Sequence, residues 1–413
     1  MDKMQQEVVV VGGCGHVGLP FGLLLGSTGK FKVSLLDVDQ KKVDLVNSKR
    51  QPFIEEGLEA VMQTTIGKTV TATTDKNCLK TADFVITVIG TPVDAYLNPT
   101  INILKDNVEE VIHYMKKNAL LILRSTVYPG ASKIIYELIK ASNKAVNLAF
   151  CPERLAVGFA FEELKKFPQI ISGFETVAIN QARDFFLEFT PSVIELQPQE
   201  AELAKLFANT YRYLNFAISN QFYMLAQSCG LDFYKIYDAL KLDYPRMKEF
   251  ARAGFAAGPC LRKDTLQLAA FANNNFFLGH AAMLVNEGLP NFIVNELKDK
   301  LDLSKKNVAI LGMAFKANCD DKRDSLSYKL KDLVKLYAKN TYVSDPYITD
   351  SEFVDTATAI KNSDIIIIGV PHSVYLDIDI PADKHIVDVW NFIKPKTVTK
   401  SPGNIDNTLA LKI

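Results

Sequence analysis

The residues Gly13-Cys-Gly15-His16-Val17-Gly18 have the types and spacing that hold a pyrophosphate. Gly13 permits a tight turn, Gly15 lets the anion approach the backbone, and Gly18 lets a helix pack closely on its strand. The anion then rests on unpaired N–H groups at the start of that helix. A G-x-G-x-x-G pattern alone is weak. Here an apolar run ending in glycines precedes it, an apolar stretch follows, and Asp37 stands 19 residues past Gly18 at the tip of a second apolar run. A carboxylate there accepts hydrogen bonds from both ribose hydroxyls and repels a 2′-phosphate, so the pattern reads as an NAD site. Asp39 competes for the ribose, and Lys41 and Lys42 weaken the exclusion of NADP.

Gly90-Thr91-Pro92 and Ser125-Thr126-Val127 each follow an apolar run. Their hydroxyls suit a phosphate, a ribose or a catalytic water, and equally suit the cap of a following helix. Lys205 and Asn209 are four apart in a segment free of Pro and Gly, which places them on one helix face. Both are polar among apolar neighbours, where burial without a partner is costly; a solvated stripe is the alternative. The six cysteines (14, 78, 151, 229, 260 and 319) form no C-x-x-C pair and the five histidines are dispersed, so no metal site is readable.

The elements that must position these residues follow from hydrophobic pattern. Residues 7–13 read as a strand buried on both faces, 19–25 as a helix, 32–37 as a second strand, and 84–89 and 120–123 as later strands. Strands alternating with helices mean an α/β fold with a doubly wound parallel sheet. The C-terminal third repeats the plan at 308–312, 342–345, 364–371 and 385–390. Two such domains in one chain imply two strand-end crevices and hence two ligands. Between them, 200–229 reads as one helix of about 45 Å ended by Gly230. Leu203, Leu206, Phe207, Tyr211, Leu214, Phe216, Phe222 and Leu225 lie nearly all round it, the pattern of a buried helix at a domain seam and a dimer contact. Residues 235–287 are expected to continue the helical middle. The expected domains are 1–195, 196–300 and 301–413.

The chain has 413 residues, which at roughly 150 per domain fits two to three domains. Its 47 basic and 47 acidic residues cancel, which argues against a nucleic-acid or polybasic membrane partner. A composition of 48% hydrophobic and 23% charged residues excludes a disordered or fibrous chain. No apolar run approaches the ~18 residues of a spanning helix. Asp2, Lys3 and Glu7 before a short apolar run are unlike a signal peptide, so reduced thiols and a cytoplasmic location are expected.

Further blocks run along nearly the whole chain: Cys151-Pro-Glu-Arg154, Glu202-Leu-Ala-Lys205 with Asn209, Cys260-Leu-Arg-Lys-Asp264, and Leu311-Gly-Met-Ala-Phe-Lys316 followed by Asp320-Asp-Lys-Arg323. With Gly13-Cys-Gly-His-Val-Gly-Leu-Pro20, Gly90-Thr-Pro92 and Ser125-Thr-Val127, they make the chain resemble the NAD-dependent UDP-sugar 6-dehydrogenases, the family of UDP-glucose and UDP-N-acetylhexosamine dehydrogenases. The resemblance implies two Rossmann-like domains, NAD-binding at the N-terminus and UDP-sugar-binding at the C-terminus. They are joined by a long helical segment that makes a homodimer. It also implies oxidation of the sugar's C6 alcohol to a carboxylate with two NAD, through a thiohemiacetal and a thioester on a cysteine.

The resemblance assigns Cys260 as that nucleophile. A free thiol with a pKa of about 8.5 is only a few per cent thiolate at neutral pH. An ammonium at Lys263 raises that fraction, and Asp264 is placed to shuttle a proton through water. Lys205 and Asn209 are implied to hold the oxygens on C6, and Thr126 with Glu153 to position and activate the hydrolytic water. Arg154, Gly258 and Lys316 resemble sugar- and diphosphate-binding residues, Arg246 one that reaches a neighbouring subunit's sugar, and Arg323, like Lys263, one that turns toward NAD.

The blocks divide over the sugar. Cys151–Arg154 with Gly158, and Asn209-Thr-Tyr-Arg212 with Asn215, are similar to the N-acetylhexosamine branch; Cys260-Leu-Arg-Lys-Asp-Thr265 is similar to the UDP-glucose branch. Ala257-Gly258-Pro259 departs from both, and proline removes an N–H donor from the loop. The N-acetylhexosamine blocks are more numerous, which favours UDP-N-acetylmannosamine or UDP-N-acetylglucosamine over UDP-glucose. A nucleotide-sugar and NAD binding protein without catalysis is the alternative of another class, and the intact Cys260, Lys205, Asn209, Glu153 and Asp264 argue against it.

Overall fold

The structure, a computed structural model, describes residues 5–91, 100–154, 163 and 166–393; Pro92 and Gly158 lie outside them. The chain forms two compact units, Met1–Asn209 with Lys263–Asn274, and Thr210–Arg262 with Asn275–Ile413.

In the first unit, β1 (Gln6–Val11) is a run of valines with both faces covered. Val8 and Val10 pack with Phe21, Leu23 and Leu35, while Val9 and Val11 pack with Val85, Leu121 and Ile135. This two-sided burial is what a central parallel strand requires. The other strands are β2 (Phe31–Leu36), β3 (Val70–Thr73), β4 (Phe84–Thr87), β5 (Leu120–Leu123), β6 (Asn147–Phe150), β7 (Gln169–Gly173) and β8 (Val193–Glu195). Their order is β3-β2-β1-β4-β5-β6-β7-β8. The direction of winding reverses between β1 and β4, which puts the ligand crevice at their C-terminal ends. Strand β7 runs antiparallel to β6 and β8 runs parallel to β7, so a mixed edge extends the parallel sheet that the sequence pattern suggests. An antiparallel neighbour needs no crossover helix. Among the described residues its helices include α1 (Gly18–Ser27), α2 (Gln40–Asn47), α3 (Leu58–Thr65), α4 (Ile101–Tyr114), α5 (Ala131–Ala141) and α6 (Thr176–Leu187).

The long helix α7 (Pro198–Ser228) has 31 residues and starts two residues earlier than the sequence pattern suggests. Proline suits a first helical turn, where its missing N–H would have no partner. Gly230 ends the helix with φ +69°, and Leu231 N donates to Ala226 O. The helix is not covered all round: Leu206, Tyr213 and Tyr223 are buried, whereas Tyr211, Ile218, Phe222 and Leu225 are exposed.

The second unit holds α8 (Phe233–Lys241) and, after the α9 helix (Leu261–Phe271) that carries the chain into the first unit, α10 (Phe277–Lys300). Then come β9 (Asn307–Leu311), α11 (Leu326–Tyr337), β10 (Asn340–Ser344), α12 (Thr356–Asn362), β11 (Ile365–Ile368) and β12 (His385–Val387). The sheet order is β10-β9-β11-β12, parallel throughout. The expectation that 235–287 stays helical fails at 272–276 and at 242–260, which has only a short 3₁₀ turn at Pro245–Met247. Pro245, Gly254, Gly258 and Pro259 break helix continuity there.

Candidate active site

The glycine turn after β1 differs in one respect from its expected anatomy. The left-handed residue is Gly12, with φ +80°, so the turn is made one position before Gly13. Gly13 is needed for another reason: a Cβ there would lie 2.7 Å from both Leu35 Cα and Val10 O. A Cβ on Gly18 would lie 2.4 Å from Gly12 O, because the first turn of α1 leans directly on the glycine turn. A Cβ on Gly15 would meet only Gly12 O, at 3.5 Å, so this backbone is open to an approaching ligand. His16 and Val17 complete the turn, and the His16 ring lies 4.0 Å from that of Phe53.

Asp37 directly follows β2. Its Oδ2 accepts from Cys14 N at 3.0 Å and its Oδ1 from Asp39 N at 3.1 Å. Asp39, the competitor for the ribose, accepts from Lys41 N and Lys42 N as the N-cap of α2, so it is used by the helix. An open glycine backbone, a helix N-terminus and a carboxylate at the second strand's tip fit the pyrophosphate and ribose of NAD. Cys14, inside this turn, is inert: burial, with Asp37 adding to it, pushes its thiol up to about 12.

Ser125 and Thr126 do not cap α5, whose N-cap residue is Gly130, and the N-cap residue of α4 is Thr100. Ser125 Oγ donates to Ile89 O at 2.6 Å and Thr91 Oγ1 donates to Thr126 O, so they tie together the loops after β4 and β5. Beside them Glu153 is buried and paired with Arg124, a residue that pattern reading missed. The Arg124 guanidinium is fully buried, donates to Gln169 Oε1 at 3.1 Å and lies 4.4 Å from the Phe21 ring centroid. The other Glu153 oxygen accepts from Arg154 N at 2.7 Å. Arg154 itself donates to Pro168 O, and burial holds its guanidinium below its usual pKa. The available signal was an arginine closing the fully apolar strand Leu120–Leu123.

Lys205 and Asn209 are buried, 8% and 6% exposed, which removes the solvated-stripe alternative. One turn before them, Glu202 accepts from Gly130 N at 2.6 Å and Ser132 N at 2.8 Å, fastening α7 to the start of α5; burial raises its carboxyl pKa. Asn209 Nδ2 donates to Asp264 Oδ2 at 2.5 Å, and Lys263 Nζ lies 2.6 Å from Asp264 Oδ1. Asp264 is wholly buried. The Lys263 ammonium is thus paired with a buried carboxylate.

In the second unit Cys260 is exposed, outside any disulfide, at the residue before α9. Gly258 precedes it with φ +100°, and a Cβ there would lie 2.5 Å from the Phe315 ring. Arg323 grips Asp321 through Nε at 3.0 Å and Nη2 at 2.6 Å. Asp321 first, and then Cys260, favour its charged form, so Arg323 lies within electrostatic reach of the sulfur. Arg246 stands apart, exposed in the 3₁₀ turn beside Tyr244.

Lys316 lies on the loop after β9, and that loop is held from beneath. Asp345, just past β10, occupies the place that Asp37 has in the first sheet. Its Oδ2 accepts from Met313 N, Ala314 N and His372 Nε2, and its Oδ1 from Tyr347 N and Ile348 N. Asn318 N donates to His372 Nδ1 at 2.9 Å, which puts the ring hydrogen on Nε2. With its side chain wholly buried and both oxygens engaged, Asp345 has nothing left for a ribose. The second glycine turn is therefore a support for a loop and not a second copy of the dinucleotide site. Among the described residues, no helix is long and apolar enough to cross a membrane and no three His, Cys, Asp or Glu gather as metal ligands.

Comparisons with known proteins match this anatomy. The UDP-glucose/GDP-mannose dehydrogenase family matches in three parts: its NAD binding domain over residues 6–190, its central domain over 199–287 and its UDP binding domain over 309–395. A UDP-N-acetyl-D-mannosamine dehydrogenase of Pyrococcus horikoshii is 28% identical over 410 residues, covering 94% of this chain and 97% of the relative. One from Methanococcus vannielii is 28% identical over 388 residues, covering 90% and 88%. The solved structure of the UDP-D-ManNAc dehydrogenase from Pyrococcus horikoshii superposes with a TM-score of 0.87 at 26% identity, over 95% of this chain and 97% of that one.

Proposed function

This chain belongs to the UDP-glucose/GDP-mannose dehydrogenase family of NAD-dependent oxidoreductases, and from that premise we propose that it oxidises C6 of a UDP-N-acetylhexosamine, UDP-N-acetylmannosamine first, to the uronic acid. The supporting observation is the buried Asp264, four residues past Cys260, held between Asn209 of α7 and its neighbour Lys263. Burying a carboxylate is costly, and a helix built only for packing has no need of one.

When bound, NAD accepts the hydride of each oxidation. Cys260 adds as thiolate to the C6 aldehyde, carries the carbon as a thiohemiacetal and then as a thioester, and is released by water. Overall, one alcohol, two NAD⁺ and one water give one carboxylate, two NADH and three protons. Lys205 and Asn209 donate to the oxygen on C6; a donor so placed lowers a barrier by about 3–4 kcal/mol. Glu153, held by Arg124, and Thr126 orient the hydrolytic water, a contribution of roughly 10²–10⁴-fold. Lys316 faces the UDP diphosphate. Residues 1–195 serve NAD, 196–300 carry the chemistry and 301–413 hold UDP. The exposed Tyr211, Ile218, Phe222 and Leu225 of α7 support a homodimer seated on that helix, in the reducing cytoplasm. UDP-glucose is the second reading, favoured by the block Cys260-Leu-Arg-Lys-Asp264.

The test is NADH yield against UDP-N-acetylmannosamine, UDP-N-acetylglucosamine, UDP-glucose and UDP-galactose. Two NADH per UDP-N-acetylmannosamine are expected, and Cys260→Ser should abolish acid formation while NAD affinity stays nearly unchanged. A yield of one with full activity in Cys260→Ala overturns the covalent route, and no turnover of any UDP-sugar leaves a binding protein.

A further inference from the structure

The segment leading to Cys260 has neither helix nor strand from Ala251 to Gly258, yet Ala253, Gly254, Phe255 and Ala256 are buried. Buried backbone N–H and C=O groups need partners, and an irregular segment has no ladder to supply them. Asn220 of α7 supplies both at Gly254. Its Nδ2 donates to Gly254 O at 3.0 Å, and Gly254 N donates to its Oδ1 at 2.8 Å, as a neighbouring strand would do. The orientation of that amide is set in turn. Asn220 Nδ2 also donates to Asn286 Oδ1 on α10 at 2.9 Å, and Asn286 Nδ2 donates to Tyr213 O at 3.1 Å. Both asparagines are 0% exposed, so no water competes for these bonds.

Packing leaves the segment no freedom at the same point. A Cβ on Gly254 would lie 2.1 Å from the Trp390 ring, and Trp390 Nε1 donates to Gly369 O at 3.2 Å. At the far end Gly258 N donates to Asp324 O at 3.2 Å, with the Phe315 ring against its Cα. The segment is therefore pinned at Gly254 and Gly258, and Cys260 follows two residues later.

We propose that Asn220, oriented by Asn286, is a positioning residue for Cys260: the amide fixes where the segment lies against α7 and so where the sulfur stands when it captures the aldehyde. The inference rests on Cys260 being the nucleophile. Displacement of a reacting group by about 1 Å costs on the order of 10²-fold in rate. A misplaced thiol has a particular consequence, because the first oxidation does not need it: the aldehyde escapes before the second.

The experiment compares full-length Asn220→Ala and Asn286→Ala with the unaltered enzyme and with Cys260→Ser. The readouts are NADH formed per UDP-sugar, aldehyde trapped by hydroxylamine, iodoacetamide labelling of Cys260, NAD affinity, and emission of Trp390, the chain's one tryptophan. Asn220→Ala is expected to lower kcat by about 10²-fold, to move NADH yield from two toward one with trapped aldehyde, to change the labelling rate and Trp390 emission, and to leave NAD affinity within twofold. Asn286→Ala, which keeps both bonds at Gly254, should show the same pattern more weakly, and it carries the test if Asn220→Ala does not fold. A merely structural role would lower Tm without releasing aldehyde. Unchanged yield and labelling in folded variants, beside a Cys260→Ser that forms no acid, overturn this inference alone. A fully active Cys260→Ser overturns the nucleophile and the inference together.

Discussion

Asn209 reaches Asp264 across 55 residues of chain, donating from Nδ2 to Oδ2 at 2.5 Å, while Lys263 holds the other oxygen at 2.6 Å. The carboxylate is wholly buried and the lysine side chain only 17% exposed. Removing one partner of a buried pair strands the other, at a cost of about 3–5 kcal/mol. Asp264→Ala should lose about 3 kcal/mol in urea denaturation, together with its activity. A loss below about 1 kcal/mol, the range of exposed pairs, would show that solvent already screens this set.

The glycines of the first turn should separate in their effects. Gly18→Ala forces a methyl to 2.4 Å from Gly12 O and should lower Tm. Gly15→Ala meets only one oxygen at 3.5 Å, so the apoprotein should keep its Tm while NAD binding, followed by calorimetric titration, weakens at least tenfold. Equal losses of stability in both variants would contradict the open backbone at Gly15.

Thiol reactivity follows exposure and thiolate content. Burial pushes Cys14 and Cys151 up to about 12, and Cys78 to about 11, whereas Cys229 and Cys260 are exposed. Iodoacetamide at pH 8 should label Cys229 and Cys260 first, with activity lost in step with Cys260 and regained by none of the others' protection. Mass spectrometry showing Cys14 or Cys151 labelled ahead of them in folded protein would refute this order.

Asp345 makes part of the protein's stability depend on pH. Burial pushes its carboxyl up, but the hydrogen bonds from His372, Met313 N and Tyr347 N outweigh that and hold it below the usual carboxylate range. A depressed folded pKa contributes stability that is present above the unfolded pKa, about 3.9, and is lost as pH falls through the folded value. Asp345→Asn should therefore be less stable at pH 7 by about 3 kcal/mol, and the gap to the unaltered protein should narrow below about pH 4. Stability curves that stay parallel from pH 7 to pH 3 would exclude the linkage.

Much of the frame was legible in the residues because its causes are local. Val8–Val11 can be buried on both faces only in a central strand, and Gly230 carries the stop signal just past α7, whereas the start at Pro198 lies two residues before the one the pattern suggests. The same local logic misplaced the left-handed turn, since Gly12 and Gly13 are chemically identical and only the contact of Gly13 with Leu35 distinguishes them. It also extended the helical middle through 242–260, because scattered apolar residues mimic a helix until Gly254 is seen against Trp390.

By itself the sequence determined the two glycine turns, the alternation of strands and helices, and the cysteine block, all of which depend on residues within a few positions of one another. Tertiary structure decided who pairs with whom: Arg124 with Glu153, Asp264 with Asn209, Asp345 with His372, and Asn220 with the backbone of Gly254. A buried polar group must find a partner, but nothing in its local pattern names one. The partner is whichever complementary group the packing of the sheets and helices carries to within 3 Å or so.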